Sequence, residues 1–179
     1  VLISHNHWDH VYGLPGLYGF VESNPRVYVP CSSADAILQQ YPRANVVPVE
    51  QPVEIFPNVW STGPIDWEYL GMPLSEQTLI LENEEVLYVV TGCAHPDIVN
   101  ITERVKHMFP EQPIALVTGG FHPVYNTDEE IMKISAKLRK LGVKKIAHSH
   151  CTGRSAMEIF KQGWGEQHLR LCLSDTFCF

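Results

Sequence analysis

Three histidines and an aspartate fall within six consecutive positions near the start of the chain, in the run Ser4-His5-Asn6-His7-Trp8-Asp9-His10. Imidazole and carboxylate are the ligands that borderline-soft divalent metals favour, so four of them this close together point to metal chemistry. The apolar run Val1-Leu2-Ile3 precedes them. A strand that begins there and continues to His7 would turn alternate residues to one side, so His5 and His7 would face one metal. Asp9 and His10 would then sit in the following turn, within reach of a second metal. A surface cluster of histidines is the competing reading. The Asp and Trp that interrupt the run, and the apolar residues before it, argue against that reading.

Metal-capable side chains recur where other predicted strands end. The strand 86–91 leads through Gly92-Cys93-Ala94 to His95, the strand 114–118 through Gly119-Gly120-Phe121 to His122, and the strand 143–147 through His148-Ser149 to His150. In α/β sheets, sites gather at the carboxyl ends of strands, and these strand ends are expected to meet at one site. His95 and His150 are expected to bind metal. His122 could bind metal, donate a proton or orient substrate. His148 is assigned to support or packing, and His107 and His168 to ordinary surface or core positions. Cys93 and Cys151 flank the expected ligands. A thiolate could coordinate zinc there, but small buried thiols are commoner. Gly92, Gly119 and Gly120 have no Cβ and would let the chain turn sharply or approach a ligand closely.

The elements that position these residues are legible in part. Residues 11–20 suggest a short helix broken near Pro15, and 26–29 a short strand. Ser32 opens a predicted helix to residue 40, with Asp35 in a loose capping-box pattern. The proline-rich stretch 42–73 reads as short strands and loops of the kind that carry substrate contacts. Residues 78–81 form a strand, and the continuously apolar run 86–90 is a strand covered on both faces. A helix over 97–108 carries Ile98, Ile101, Val105 and Met108 on one side and stops before Pro110. A second helix, 127–141, opens with a Thr127/Glu130 capping box, collects Lys137, Arg139 and Lys140 in its last turn and stops at Gly142. A third helix covers 152–161, and the stretches 169–173 and 176–179 read as closing strands.

The 179 residues suit one domain, 1–179, with a hydrophobic core. Hydrophobic residues make up 45% and charged residues 18%, an ordinary globular balance. A net charge of −7 gives no support to a nucleic-acid partner. No apolar stretch is long enough to span a membrane. The five cysteines, Cys31, Cys93, Cys151, Cys172 and Cys178, form no CxxC pair, which favours reduced thiols and a cytoplasmic setting. The sequence opens at Val1 already inside a predicted buried strand. It is therefore read as a domain that lacks its upstream strands.

These motifs resemble the metallo-β-lactamase superfamily. Its HxHxDH signature is matched by His5-Asn6-His7-Trp8-Asp9-His10, and His95 and His150 follow in the expected order. Thr91-Gly92-Cys93-Ala94-His95, Gly119-Gly120-Phe121-His122 and His150-Cys151-Thr152-Gly153 are similar to the branch known as dihydropterin-methyl-ribofuranosylaminobenzene phosphate synthases. The resemblance implies an α/β fold, an αββα sandwich whose N-terminal strands are missing here, with a two-metal site at one edge of the sheets. It implies His5, His7 and His95 at the first metal, and Asp9, His10 and His150 at the second. The metals expected are two divalent ions, zinc ahead of manganese or iron. Many relatives carry a bridging Asp between the later histidines. Here Gly119-Gly120-Phe121-His122 stands at that strand end, which leaves His122 as a substitute.

The chemistry that follows is hydrolysis by a metal-activated water on a small anionic ester, lactone or phosphate-bearing substrate. Asp9 would orient the water and His122 would assist catalysis. Trp8 would wall the cleft or join the core. Thr152, Gly153 and Arg154 open a helix beside His150 and would hold a phosphate, or act as a simple helix cap with a solvated arginine. Two alternatives stay open: a metal-dependent transferase condensing a pterin, and a metal-binding sensor of weak catalytic power.

Overall fold

The computed structural model describes residues 1–17, 24–83, 85–123 and 125–171, residue 150 by its backbone alone. Along them the chain runs α1 (Trp8–Val11), α2 (Leu14–Leu17), β1 (Arg26–Pro30), α3 (Ala34–Gln40), β2 (Asn45–Val49), β3 (Val53–Phe56), β4 (Val59–Ser61), β5 (Ile65–Tyr69) and β6 (Met72–Glu76). It continues through β7 (Leu79–Asn83), β8 (Val86–Val90), α4 (Ile98–Met108), β9 (Ile114–Gly120), α5 (Asp128–Lys140), β10 (Lys145–Ser149) and α6 (Arg154–Trp164). A six-stranded sheet has the order β10-β9-β8-β7-β4-β3, and β1-β2 and β5-β6 form two-stranded sheets. β8, β9 and β10 run parallel, while β7, β4 and β3 continue the sheet antiparallel.

The apolar run of β8 explains its place inside the large sheet. Leu87 and Val89 are fully buried under the helices, and Val86, Tyr88 and Val90 are partly covered on the opposite face. Two parallel strands need a long crossover, and here helices supply it: α4 lies between β8 and β9, and α5 between β9 and β10. Their apolar stripes, Ile98, Ile101 and Val105 on α4 and Ile131, Ile134 and Leu138 on α5, join Phe160 and Trp164 of α6 in the main core. Both helices start where the sequence provides a cap. Asp97 accepts from the Val99 amide at 2.7 Å, and Thr127 and Glu130 form the reciprocal box.

A second, smaller core gathers Ile3, Val11, Leu14, Val27, Val29, Ala34, Ile37 and Ala44 around β1, β2 and α3. The layers are therefore helix, sheet, sheet and helix, an αββα arrangement. Gln77 ties the two halves together and is fully buried. Its side-chain amide donates to the carbonyls of Ile3 (2.9 Å) and Tyr28 (3.2 Å), its side-chain oxygen accepts from Ser61 (2.6 Å), and its backbone N–H donates to Ser4 (2.9 Å).

Several elements differ from the sequence reading. Among the described residues the N-terminal segment makes a single bridge, Leu2 to Tyr28, rather than a strand reaching His7. Asp9 and His10 lie on α1 rather than in an open turn. Ser32 does not cap α3: its hydroxyl donates to Ser75 (2.9 Å), and a 3₁₀ turn over Cys31–Ser33 precedes the helix. The helix expected from residue 152 starts at Arg154, because Gly153 has a φ of +79° that no α-helix accommodates. Near the C-terminus a single bridge joins Ile146 and His168. Residues 172–179, with Cys172, Cys178 and most of the expected closing strands, lie outside the described residues. Among the described residues no helix is long and apolar enough to cross a membrane.

Candidate metal centre

The carboxyl ends of β8, β9 and β10 are locked in line. Thr91 N–H donates to Thr118 O (2.8 Å), Gly120 N–H to Gly92 O (2.9 Å), and Ser149 stands opposite Gly120 in the β10–β9 register. The segment holding His5 crosses above them, since Ile3 is anchored in the smaller core and Ser4 O is held by Gln77. This crossing needs a residue without a side chain beneath it. A Cβ on Gly92 would overlap the Ser4 side chain. The neighbour that requires the glycine is thus a protein side chain rather than a ligand.

The turn carrying His95 is held by a residue that the sequence reading did not single out. Glu76, 1% exposed, accepts from Ala94 N–H at 2.8 Å and His95 N–H at 2.9 Å. Burial pushes its carboxyl above the ordinary range, and the surrounding backbone amides of 92–95 act in the opposite direction. Ala94 and Asp97 adopt left-handed backbone, with φ of +62° and +77°. Such strain costs about 1–3 kcal/mol per residue and persists only when neighbours fix the loop, as Glu76 does here.

The histidine rings meet where these segments converge. The centroid of His5 lies 4.6 Å from His7, 4.1 Å from His10 and 4.9 Å from His95, and His7 lies 4.8 Å from His95. His5 Nε2 and His7 Nδ1 are 3.0 Å apart. The Ser4 hydroxyl sits 3.0 Å from His5 Nδ1 and 3.3 Å from His10 Nδ1. An oxygen that accepts from both Nδ1–H groups leaves both Nε2 lone pairs aimed into the cluster. On the far side His10 Nε2 lies 3.6 Å from Asp9 Oδ2 and 3.2 Å from Cys93 Sγ.

His95 provides the fit test for a metal. It is 8% exposed, and neither ring nitrogen has a hydrogen-bond partner among the described residues. An unsatisfied buried polar group costs about 1–3 kcal/mol, which a cation at that nitrogen would relieve. Burial, followed by the neighbouring charges of His122, His7 and His10, lowers the His95 pKa to about 3. The ring is therefore neutral at neutral pH, the form that ligates. The residues present fit a bound divalent ion.

His122 lies beside this cluster, 4.5 Å from His95 by ring centroids, on left-handed backbone with a φ of +43°. Tyr69 packs against His95 (4.4 Å), His122 (5.5 Å) and His7 (5.5 Å). A hydrogen bond to Tyr125 raises the Tyr69 phenol above its ordinary range. Trp67, Tyr69, Leu70, His122 and Tyr125 line a cavity of about 320 Å³ that opens onto His95. The sequence flags the 42–73 stretch but not Trp67 and Tyr69 within it, nor Tyr125 outside it, because their role depends on the hairpin β5–β6 folding over the site.

The other expected site residues are placed as follows. Trp8 is 76% exposed, so it has no core role. Thr152 is fully buried, its hydroxyl donating to Ser149 O (2.8 Å) and accepting from Phe121 N–H (3.3 Å). That commitment removes it as a phosphate-binding hydroxyl, which corrects the expectation. Gly153 and Arg154 are exposed at the start of α6. His150 opens a 3₁₀ turn directly after β10, and its side chain lies outside the described residues. Cys31, Cys93 and Cys151 are free thiols.

His148 points away from the cluster into the core. Its Nε2 lies 2.7 Å from that of His168, and its ring packs on Phe121 and Phe160. Burial and the His168 charge lower the His148 pKa to about 4. The unfolded chain therefore takes up this proton first, and folding loses stability as pH falls from 6.5 toward 4. The full shift corresponds to on the order of 3 kcal/mol. Urea unfolding of metal-free protein across this window is expected to show a shallower loss in His148→Gln than in wild type. Parallel pH profiles would rule the assignment out.

The crystal structure of Tm1679, a metal-dependent hydrolase of the β-lactamase superfamily, matches this fold with a TM-score of 0.78 and 31% sequence identity. The match covers 96% of this chain and 75% of that one. The chain belongs to the metallo-β-lactamase superfamily. This metallo-β-lactamase superfamily chain is also 26% identical over 211 residues to the 7,8-dihydropterin-6-methyl-4-(beta-D-ribofuranosyl)-aminobenzene-5'-phosphate synthase of Methanocaldococcus jannaschii, covering 96% of the chain and 72% of that protein. An isothiocyanate hydrolase from Delia radicum gut bacteria shares the superfamily fold at 13% identity, with a TM-score of 0.65 over 100% of this chain and 76% of that one. No family model matches the chain.

Proposed function

We propose that the protein is a metal-dependent hydrolase of small anionic substrates, with His5, His7 and His95 holding one divalent ion and Asp9, His10 and His150 a second. The observation that carries this reading is His95, buried at the centre of the imidazole cluster with both ring nitrogens unpartnered among the described residues. Zinc suits a set of imidazoles with a carboxylate and a thiol at its edge. A divalent ion bound there would acidify water toward neutral pKa and polarise the substrate's carbonyl or phosphoryl oxygen, making the attached carbon or phosphorus more electrophilic. Asp9, 33% exposed at its side chain, accepts a hydrogen bond from the attacking water and orients it. His122 flanks the cavity and donates a proton to the departing oxygen. Trp67, Tyr69 and Tyr125 exclude water from one wall and offer flat faces to substrate. Arg154 and the Gly153 turn present a cation near the carboxyl end of β10 for an anionic group.

The experiment is metal analysis coupled to turnover. Protein loaded with zinc or manganese should bind two ions per chain and hydrolyse model lactones or phosphodiesters, and chelation should abolish the reaction. Absence of stoichiometric metal would reject the reading. A condensing transferase is the second reading, favoured by the aromatic cavity beside His95, which suits a planar heterocycle, and by the likeness to the methanogen synthase. Tight pterin binding without hydrolysis of the model esters would favour it. One ion or none, with no turnover, would favour a sensor.

Ser4 gives a finer test. Removing a hydrogen-bond partner behind a ligand histidine lowers metal affinity by roughly 10–100-fold. Ser4→Ala should weaken zinc binding within that range while leaving the urea midpoint of metal-free protein little changed. An unaltered zinc affinity would show that the hydroxyl does not set the two imidazoles.

A further inference from the structure

We infer that Cys93 is itself a metal ligand, its thiolate completing the coordination that His10 and Asp9 begin while lying within reach of His5 and His95. The inference rests on the metal-dependent reading above. Cys93 Sγ is 3.2 Å from His10 Nε2. It also lies with ligand nitrogens of His5 and His95 in a group whose atoms are all within 4.8 Å of one another. On a tetrahedral zinc, one sulfur and one nitrogen ligand stand about 3.5 Å apart, given bond lengths of about 2.3 and 2.0 Å. The separation from His10 is therefore close to that of two donors sharing one ion.

Charge balance points the same way. Imidazoles are neutral donors, so two divalent cations need anions nearby to be held in a buried place. Asp9 supplies one carboxylate. Glu76 is the other carboxylate at the cluster, but its two oxygens are committed to the Ala94 and His95 amides. Cys151 lies directly behind Cys93: its thiol hydrogen-bonds the Cys93 thiol, donates to Cys93 O at 3.4 Å and accepts from the His122 amide. Of the two neighbouring thiols it is Cys93, 4% exposed and fixed on the loop that Glu76 clamps, whose sulfur lies among the imidazole nitrogens and can supply the second anion. A coordinated thiol is deprotonated outright, whatever its proton affinity in the absence of the ion.

Cobalt substitution tests this without depending on activity. Reduced, metal-free wild-type protein loaded with Co²⁺ should show the near-ultraviolet thiolate-to-cobalt charge-transfer band, with bound cobalt counted by elemental analysis. Cys93→Ser should still bind cobalt, more weakly, and lose the band. Cys151→Ser should keep it. Cobalt bound to wild type without the band, or a band that survives Cys93→Ser and disappears in Cys151→Ser, overturns the inference and leaves the hydrolase reading standing. No cobalt bound to wild type overturns both. X-ray absorption on unaltered zinc-loaded protein gives a second measurement that needs no variant to fold. A sulfur scatterer at about 2.3 Å supports Cys93, and a shell of nitrogen and oxygen alone rejects it.

Discussion

His95→Ala is expected to abolish metal-dependent activity and, with it, the share of metal stabilisation that the first ion gives the fold. The loss of activity should exceed the roughly 10–100-fold that follows removal of a group behind a ligand, since here the ligand itself is removed. The stability arm is more diagnostic. An ion that binds only the folded state stabilises it by about 4 kcal/mol at a free concentration 1,000 times its dissociation constant. Wild type should therefore gain several kcal/mol on zinc addition and lose it on chelation, while His95→Ala should gain clearly less, through the second ion alone. Metal-free stability should change little, because two effects oppose. Truncating a large buried side chain opens a cavity costing on the order of 2–5 kcal/mol. Deleting the ring also removes two buried nitrogens that have no partner among the described residues, each costing about 1–3 kcal/mol. Urea titrations with and without zinc measure all of this. A variant stabilised by zinc as strongly as wild type would remove His95 from the site.

Gly119→Ala should be the most damaging single methyl addition in the sheet. The residue has a φ of +117°, where an L side chain is strained, and a Cβ there would overlap the Thr91 carbonyl and hydroxyl oxygens. The Thr91 hydroxyl spans the Thr118 and Gly120 carbonyls at 3.1 and 3.0 Å, so moving it disturbs the carboxyl ends of β8 and β9 together. Backbone strain of about 1–3 kcal/mol and overpacking of about 1–3 kcal/mol add to a loss near 4 kcal/mol. That is a large share of the roughly 5–15 kcal/mol that holds a domain folded. The strand ends that shift carry His95 and His122, so metal affinity should fall alongside the urea midpoint. A midpoint within experimental error of wild type would show that the β8–β9 junction relaxes without cost.

The pattern of apolar residues determined most of the architecture from local information. The unbroken run of β8 specified a doubly covered strand, and the stripes and caps of α4 and α5 fixed those helices, because both signals are complete within a dozen neighbouring residues. The spacing His5-Asn6-His7-Trp8-Asp9-His10 likewise announced a metal-capable segment, although the strand imagined beneath it is one bridge and the last two residues sit on a short helix. Thr152 was misjudged for a related reason. A hydroxyl near a helix start looks the same in sequence whether it faces solvent or, as here, is fully buried against Phe121.

What only the tertiary structure decided is who stands next to whom across long stretches of chain. Glu76 belongs to an unremarkable polar segment until β6 brings it under the His95 turn. Tyr69 and Tyr125 become a wall of one cavity only when the β5–β6 hairpin folds over the loop after β9. Cys93 reads as a small packed thiol until its sulfur is seen 3.2 Å from the imidazole of His10, a residue 83 positions away. Side-chain type and spacing set what chemistry the chain can offer. The through-space distances that combine those groups into a site depend on the packing of two sheets, and no local pattern encodes that.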